Sequence, residues 1–201
     1  MKILLIDADS TIPNIALMKL STYHKSKNDI VDFIQYHLPY YPHKKRPVYY
    51  VPENYDKIYC SVVFEGNADN IIGKNIIFGG TGIDLTTNLP ENIELLDCDY
   101  GLYPDNNTSY GFISRGCIRK CKFCKVPIKE GYIRQVNTIS NIVKHKKVKF
   151  LDNNFLALNN HVSLLKELIQ KNIKLQFNQG LDIRLVNAEN SYLLSKLNYM
   201  G

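Results

Sequence analysis

Tyr110–Gly131 reads YGFISRGCIRKCKFCKVPIKEG and holds Cys117, Cys121 and Cys124 in the spacing C-x3-C-x2-C. These are three of the five cysteines in a chain of 201 residues. Thiolates this close on one loop can hold one face of a metal centre. Structural zinc usually takes four ligands in two well-separated pairs, and a bacterial ferredoxin run carries four cysteines ending in Cys-Pro. The stretch matches neither pattern. Three thiolates suit a cubane iron–sulfur cluster with three irons held by protein and the fourth left open. A zinc knuckle, with Cys60 or Cys98 as fourth ligand, competes for the same residues, as do three plain thiols. Gly116 fits a tight entry into the loop, because glycine tolerates positive φ.

The chain as a whole has the makeup of a soluble globular protein, 45% apolar and 22% charged. Its length suits one large domain or two modest ones. No apolar run reaches the ~18 residues of a membrane span. The start, MKILLID, meets Asp7 too soon for a signal peptide and reads as a strand. An odd number of cysteines, mostly clustered, argues for a reducing, cytoplasmic setting and against a disulfide framework. The net charge of +6 permits an anionic partner, nucleic acid included, without requiring one.

Taken in order, Lys2 to Ile6 is a continuous apolar strand of the kind buried on both faces of a parallel sheet. Pro13 and Asn14 open a helix with apolar positions at Ile15, Leu17, Met18, Leu20 and Tyr23. Asn28-Asp29 is turn chemistry, and Ile30–Ile34 is a second strand. Tyr40–Pro52 is a loop with the basic run His43-Lys44-Lys45-Arg46, a solvated face or a nucleic-acid contact. Lys57–Phe64 is a third strand, with Cys60 as an inert core residue. Asn75–Phe78 is a fourth. The glycines of Gly79-Gly80-Thr81-Gly82 then form a turn in preference to a phosphate cradle, since no long helix follows. The expectation is an open, mostly parallel α/β sheet over residues 1–85 and a linker over 86–109.

From Tyr110 the pattern restarts. Thr138 caps a helix over Ile139–His145, whose basic end, Lys144 to Lys147, suits the negative pole of the helix. Val148–Leu151 is a strand ending in Asp152-Asn153-Asn154. His161–Lys171 is an amphipathic helix with Val162, Leu165, Leu168 and Ile169 inward. Ile173–Phe177 is a strand followed by Asn178-Gln179, and Asn187 caps a helix through Leu197. In parallel α/β architectures ligands sit at the C-terminal ends of strands. The cysteine loop, Asp152-Asn153 and Asn178-Gln179 are therefore expected at one mouth.

Ser114-Arg115-Gly116-Cys117, with Cys121, Phe123 and Cys124, resembles the cluster motif of the radical S-adenosylmethionine (SAM) superfamily, Phe123 being the aromatic before the last cysteine. The resemblance implies that residues 110–201 are the first half of a partial (βα) TIM-type barrel. It also implies a [4Fe–4S] cluster on Cys117, Cys121 and Cys124, with SAM on the open iron. An electron from a flavodoxin- or ferredoxin-type donor would cleave SAM reductively to a 5′-deoxyadenosyl radical, which abstracts hydrogen from a substrate the sequence does not identify. Phe123, Asp152, Asn153, Asn178 and Arg184 are the implied cofactor contacts, Asp152-Asn153 standing where relatives meet the methionine amine. Arg184 and Asp182 form either a local ion pair or a carboxylate-binding pair.

By layout, residues 1–85 resemble the Rossmann-like, cobalamin-binding type of domain that precedes this core in many members. The stretch Asp7-Ala8-Asp9-Ser10-Thr11-Ile12 lacks the histidine and glycine of D-x-H-x-x-G, which argues against histidine-ligated cobalamin. About three βα units follow Tyr110 where relatives have six, so the chain resembles a truncated member, one completed by another polypeptide, or one that keeps a cluster without full catalysis. Two other classes stay open: a non-catalytic iron–sulfur or zinc module, and a nucleic-acid-binding protein.

Overall fold

The first strand is apolar on both sides because both of its faces are covered. The computed structural model describes residues 1–39 and 46–200, in two compact units, Met1–Asn106 and Asn107–Gly201. The first unit contains, in chain order, β1 (Lys2–Asp7), α1 (Ile15–Lys25), β2 (Ile30–Gln35), β3 (Tyr49–Tyr50), β4 (Lys57–Ser61), β5 (Ile71–Ile72), β6 (Ile76–Gly79) and α2 (Glu91–Glu94). Its main sheet runs β2-β1-β4-β6, all parallel. Ile3 and Leu5 pack with Leu17, Met18 and Leu20 of α1 and with Ile93 and Leu102. Leu4 and Ile6 face Leu38, Val51, Ile58 and Ile71 on the other side. Each such side chain, fully removed from water, contributes about 1.5–3 kcal/mol.

Local chemistry sets the element ends. Asn14 caps α1, its side chain accepting from the Leu17 amide at 3.2 Å. Asn28, at φ 60°, makes the left-handed turn into β2. The third expected strand, Lys57–Phe64, stops at Ser61. There the Asp9 carboxylate takes the amides of Val63 and Phe64 at 2.8 and 3.0 Å, pulling them out of the ladder. Gly80, at φ 99°, lies so close to Val62 that a Cβ would come within 2.3 Å of its carbonyl oxygen. That glycine serves backbone packing, in keeping with a turn. Cys60 is buried in β4, and burial pushes its thiol up to about 12, the mark of an inert core cysteine.

Residues 86–106, expected within a linker, belong to the first unit. Ile93 and Leu102 are buried against α1, and the Asp99 carboxylate receives Ser21 Oγ and Lys25 Nζ at 2.6 Å each. Most of the basic run, His43-Lys44-Lys45, lies outside the described residues.

The second unit contains β7 (Thr108–Gly111), β8 (Ser114–Arg115), α3 (Val126–Lys129), β9 (Arg134–Gln135), α4 (Ile139–Ile142), β10 (Lys147–Phe150), α5 (His161–Lys171), β11 (Lys174–Phe177) and α6 (Ala188–Ser195). Strands β7, β10 and β11 form a parallel sheet in the order β11-β10-β7. A parallel bridge from Leu175 to Tyr199 extends it by a short further stretch. Leu164, Leu165 and Leu168 of α5 and Leu193 of α6 are buried with Val148, Phe150 and Leu175 of the sheet.

The helix expected over Ile139–His145 ends at Ile142, although Thr138 caps it as anticipated, accepting from the Asn141 amide. Ser109 Oγ, on β7, accepts from the amides of Lys144 and His145 at 2.8 and 2.9 Å and turns the chain into β10. Lys144 to Lys147 are thus not a helix C-terminus, and Lys147 already belongs to β10. Among the described residues no helix is long and apolar enough to cross a membrane.

Candidate metal centre

Because β7, β10 and β11 are parallel, the segments leaving their C-terminal ends meet at one edge of the sheet. From β7 the chain enters β8 and the cysteine loop, which returns through β9. The antiparallel pairing Ser114↔Gln135 and Arg115↔Arg134 closes the loop at its base. Gly116, at φ 88°, makes the entry bend, where a Cβ would come within 2.4 Å of the Tyr132 carbonyl oxygen. Only glycine fits there without displacing backbone. Across the base, Arg115 Nη1 donates to both carboxylate oxygens of Glu130, at 3.0 and 3.2 Å, and its guanidinium lies over the Phe112 ring.

The segment after β10 holds this loop residue by residue. The buried Asp152 carboxylate accepts from the Ser114 amide and Ser114 Oγ, both at 2.6 Å, and from the Ile113 amide at 3.2 Å. Burial raises the Asp152 carboxyl above the ordinary range, against the lowering effect of these donors. Asn153 Oδ1 accepts from the Gly116 amide at 3.1 Å. Asn154 Nδ2 donates to Cys117 Sγ at 3.2 Å, and the Arg119 amide donates to the same sulfur at 3.3 Å. Three consecutive side chains therefore hold Ile113, Ser114, Gly116 and Cys117 in turn.

The segment after β11 adds Asp182. Its carboxylate receives Arg119 Nε at 3.1 Å, Arg184 Nε at 2.7 Å and Arg184 Nη2 at 3.1 Å. The Arg184 and Arg119 guanidinium groups hold its carboxyl well below the usual carboxylate range. Of the two readings of Asp182 and Arg184, the structure contains the local ion pair. Asn178 is exposed, its amide bonded to the Phe150 carbonyl, and Phe123 is 91% exposed on the loop.

Cys117, Cys121 and Cys124 are free, partly buried thiols. Cys121 and Cys124 are joined through a turn, the Cys124 amide donating to the Cys121 carbonyl at 3.0 Å. Among the described residues no group of three or more His, Cys, Asp or Glu side chains converges closely enough to hold a metal ion. The donor set nevertheless fits an iron–sulfur cluster in kind: three thiols on one loop, its base fastened by Asp152, Asn153 and Glu130, and N–H groups directed at the first sulfur.

Asp152 and Asn153, expected at this mouth as cofactor contacts, lie there with side-chain oxygens that accept from Ile113, Ser114 and Gly116 of the loop. Sequence reasoning missed Asn154 and Glu130 as contacts of the loop. The repeat of short polar residues after a buried strand was the available signal for Asn154, while nothing local marked Glu130. Comparison with family profiles, with curated proteins and with solved structures gives no match for the chain.

Proposed function

We propose that the chain is an iron–sulfur protein of the radical SAM type, with Cys117, Cys121 and Cys124 holding a [4Fe–4S] cluster whose fourth iron takes SAM. The observation that carries this reading is the fastening of the C-x3-C-x2-C loop to the C-terminal edge of a parallel sheet by Asp152, Asn153 and Asn154. Ligands of parallel α/β folds bind at that edge. With the cofactors bound, the chemistry supplied is one-electron reduction of SAM and hydrogen-atom abstraction from substrate.

The chain's own residues do the placing. Asp152 fixes the Ser114 bend, Asn153 holds Gly116, and Asn154 holds the first sulfur. Asp182 is shared by Arg119 and Arg184, so the three groups together leave one net positive charge beside the loop. Phe123 offers an exposed aromatic face for SAM, and Asn178 lies at the next strand end. The β7-β10-β11 sheet, with its continuation at Tyr199, supports reading this unit as part of a (βα) barrel. The order β2-β1-β4-β6 supports a Rossmann-like reading of the first unit, where Asp7 and Asp9 are engaged with protein groups.

Anaerobic reconstitution with iron and sulfide tests the proposal. The expected product has a broad absorbance shoulder in the visible blue that changes when SAM is added. Stoichiometric zinc with no such band would replace this reading with that of a closed metal module.

A further inference from the structure

The side chain of Asn154 is 3% exposed, and its two polar atoms are in opposite situations. Nδ2 lies 3.2 Å from Cys117 Sγ and 3.4 Å from Asp182 Oδ2. Oδ1 is buried and has no hydrogen-bond partner among the described residues. The two neighbours of Nδ2 fix the amide orientation, since the Asp182 carboxylate only accepts and a flipped amide would set oxygen against oxygen. A buried oxygen without a partner is unfavourable to folding. What Asn154 contributes at this position is its N–H, directed at Cys117 Sγ and, at longer range, at Asp182.

We infer that Asn154 is a positioning residue that sets the orientation and electron density of Cys117 sulfur, and through it the reduction potential of the cluster. This rests on the iron–sulfur reading above. Hydrogen bonds to cluster sulfurs are among the groups that tune potential. A donor stabilises the reduced state, which carries one more negative charge, and so raises the potential. Reduction adds one electron to the cluster, supplied in the experiment by dithionite, and neither makes nor breaks a bond at Cys117.

The test is potentiometric titration of the reconstituted protein with dithionite, for wild type, Asn154→Leu and Asn154→Asp. The Leu variant, which removes the donor, shifts the midpoint to more negative potential. The Asp variant, which sets a carboxylate against the sulfur, shifts it further. Unshifted midpoints in coloured variants overturn the inference.

A second measurement on the metal-free protein separates this inference from the cluster reading. Alkylation by iodoacetamide is followed at each cysteine by mass spectrometry, at a pH where all thiols are ionised. In Asn154→Leu, Cys117 reacts several-fold faster relative to Cys121 and Cys124, because a sulfur freed of a donor is the better nucleophile. An unchanged ratio overturns the inference. Should wild type take up no cluster, the iron–sulfur reading fails, and the alkylation ratio alone decides whether Asn154 controls the sulfur.

Discussion

Asp152 holds Ser114 twice, its Oδ1 accepting from the Ser114 amide and from Ser114 Oγ at 2.6 Å each. The two residues belong to segments following different strands, so this contact joins the cysteine loop to the sheet. A buried carboxylate is costly to ionise, and here burial outweighs the donors and raises its pKa. In the folded state the group then keeps its proton at pH values where the unfolded chain has lost it. Stability from Asp152 is therefore greatest below the ordinary carboxylate range and declines as pH rises through the raised folded value. Measured by urea unfolding, the advantage of wild type over Asp152→Asn shrinks as pH is raised from about 4 toward neutrality. An advantage that grows over that interval would mean that the three donors, and not burial, set the direction of the shift at Asp152.

Asp182 has the opposite sign. Its two arginines depress its pKa, so its contribution is fully present at neutral pH and is lost as pH falls below the ordinary carboxylate range. Asp182→Asn should therefore differ from wild type at pH 7 and converge with it in strong acid, by the same unfolding assay. The difference should shrink in high salt, because Arg184 is largely in water.

Gly116→Ala tests the entry bend. A side chain at φ 88° costs about 1–3 kcal/mol in strain, and the Cβ would also meet the Tyr132 carbonyl oxygen. The variant should retain the wild-type far-ultraviolet circular dichroism yet fail to develop the reconstituted chromophore. Full colour in the variant would show that the bend is not needed.

Ser109→Ala removes the acceptor for the amides of Lys144 and His145. The part-buried hydrogen bonds from the amides of Lys144 and His145 are lost, at a cost of about 0.5–1.5 kcal/mol each. The expected drop in melting temperature is several degrees, at about 4–8 °C per kcal/mol for a unit of this size. No measurable drop would mean that α4 ends for another reason.

These residues also mark what the sequence could disclose. Strand β1 and helix α1 were legible because their signals are local: an unbroken apolar run, and Asn14 as a cap. Gly116 was legible because it directly precedes Cys117. The early end of α4 was hidden, since Ser109 acts from a strand far back in the chain. The end of β4 at Ser61 was hidden for the same reason, with Asp9 capturing the amides of Val63 and Phe64. Residues 86–106 read as a linker because Ile93 and Leu102 carry no period, yet both are buried against α1. At the site the cysteines were visible as a spacing. The roles of Asp152, Asn153 and Asn154 were not, because a side chain that holds a loop and one that meets a ligand look alike in sequence.

Iron and sulfide content across single Cys→Ala variants tests most directly whether three thiolates hold an open cluster. After anaerobic reconstitution, wild type, Cys60→Ala and Cys98→Ala should each hold about four iron and four sulfide per chain. Cys117→Ala, Cys121→Ala and Cys124→Ala should each lose the cluster. Loss of the cluster in Cys98→Ala as well would mean a fourth thiolate and a closed site. Retention in all three loop variants would mean that the loop is not the site.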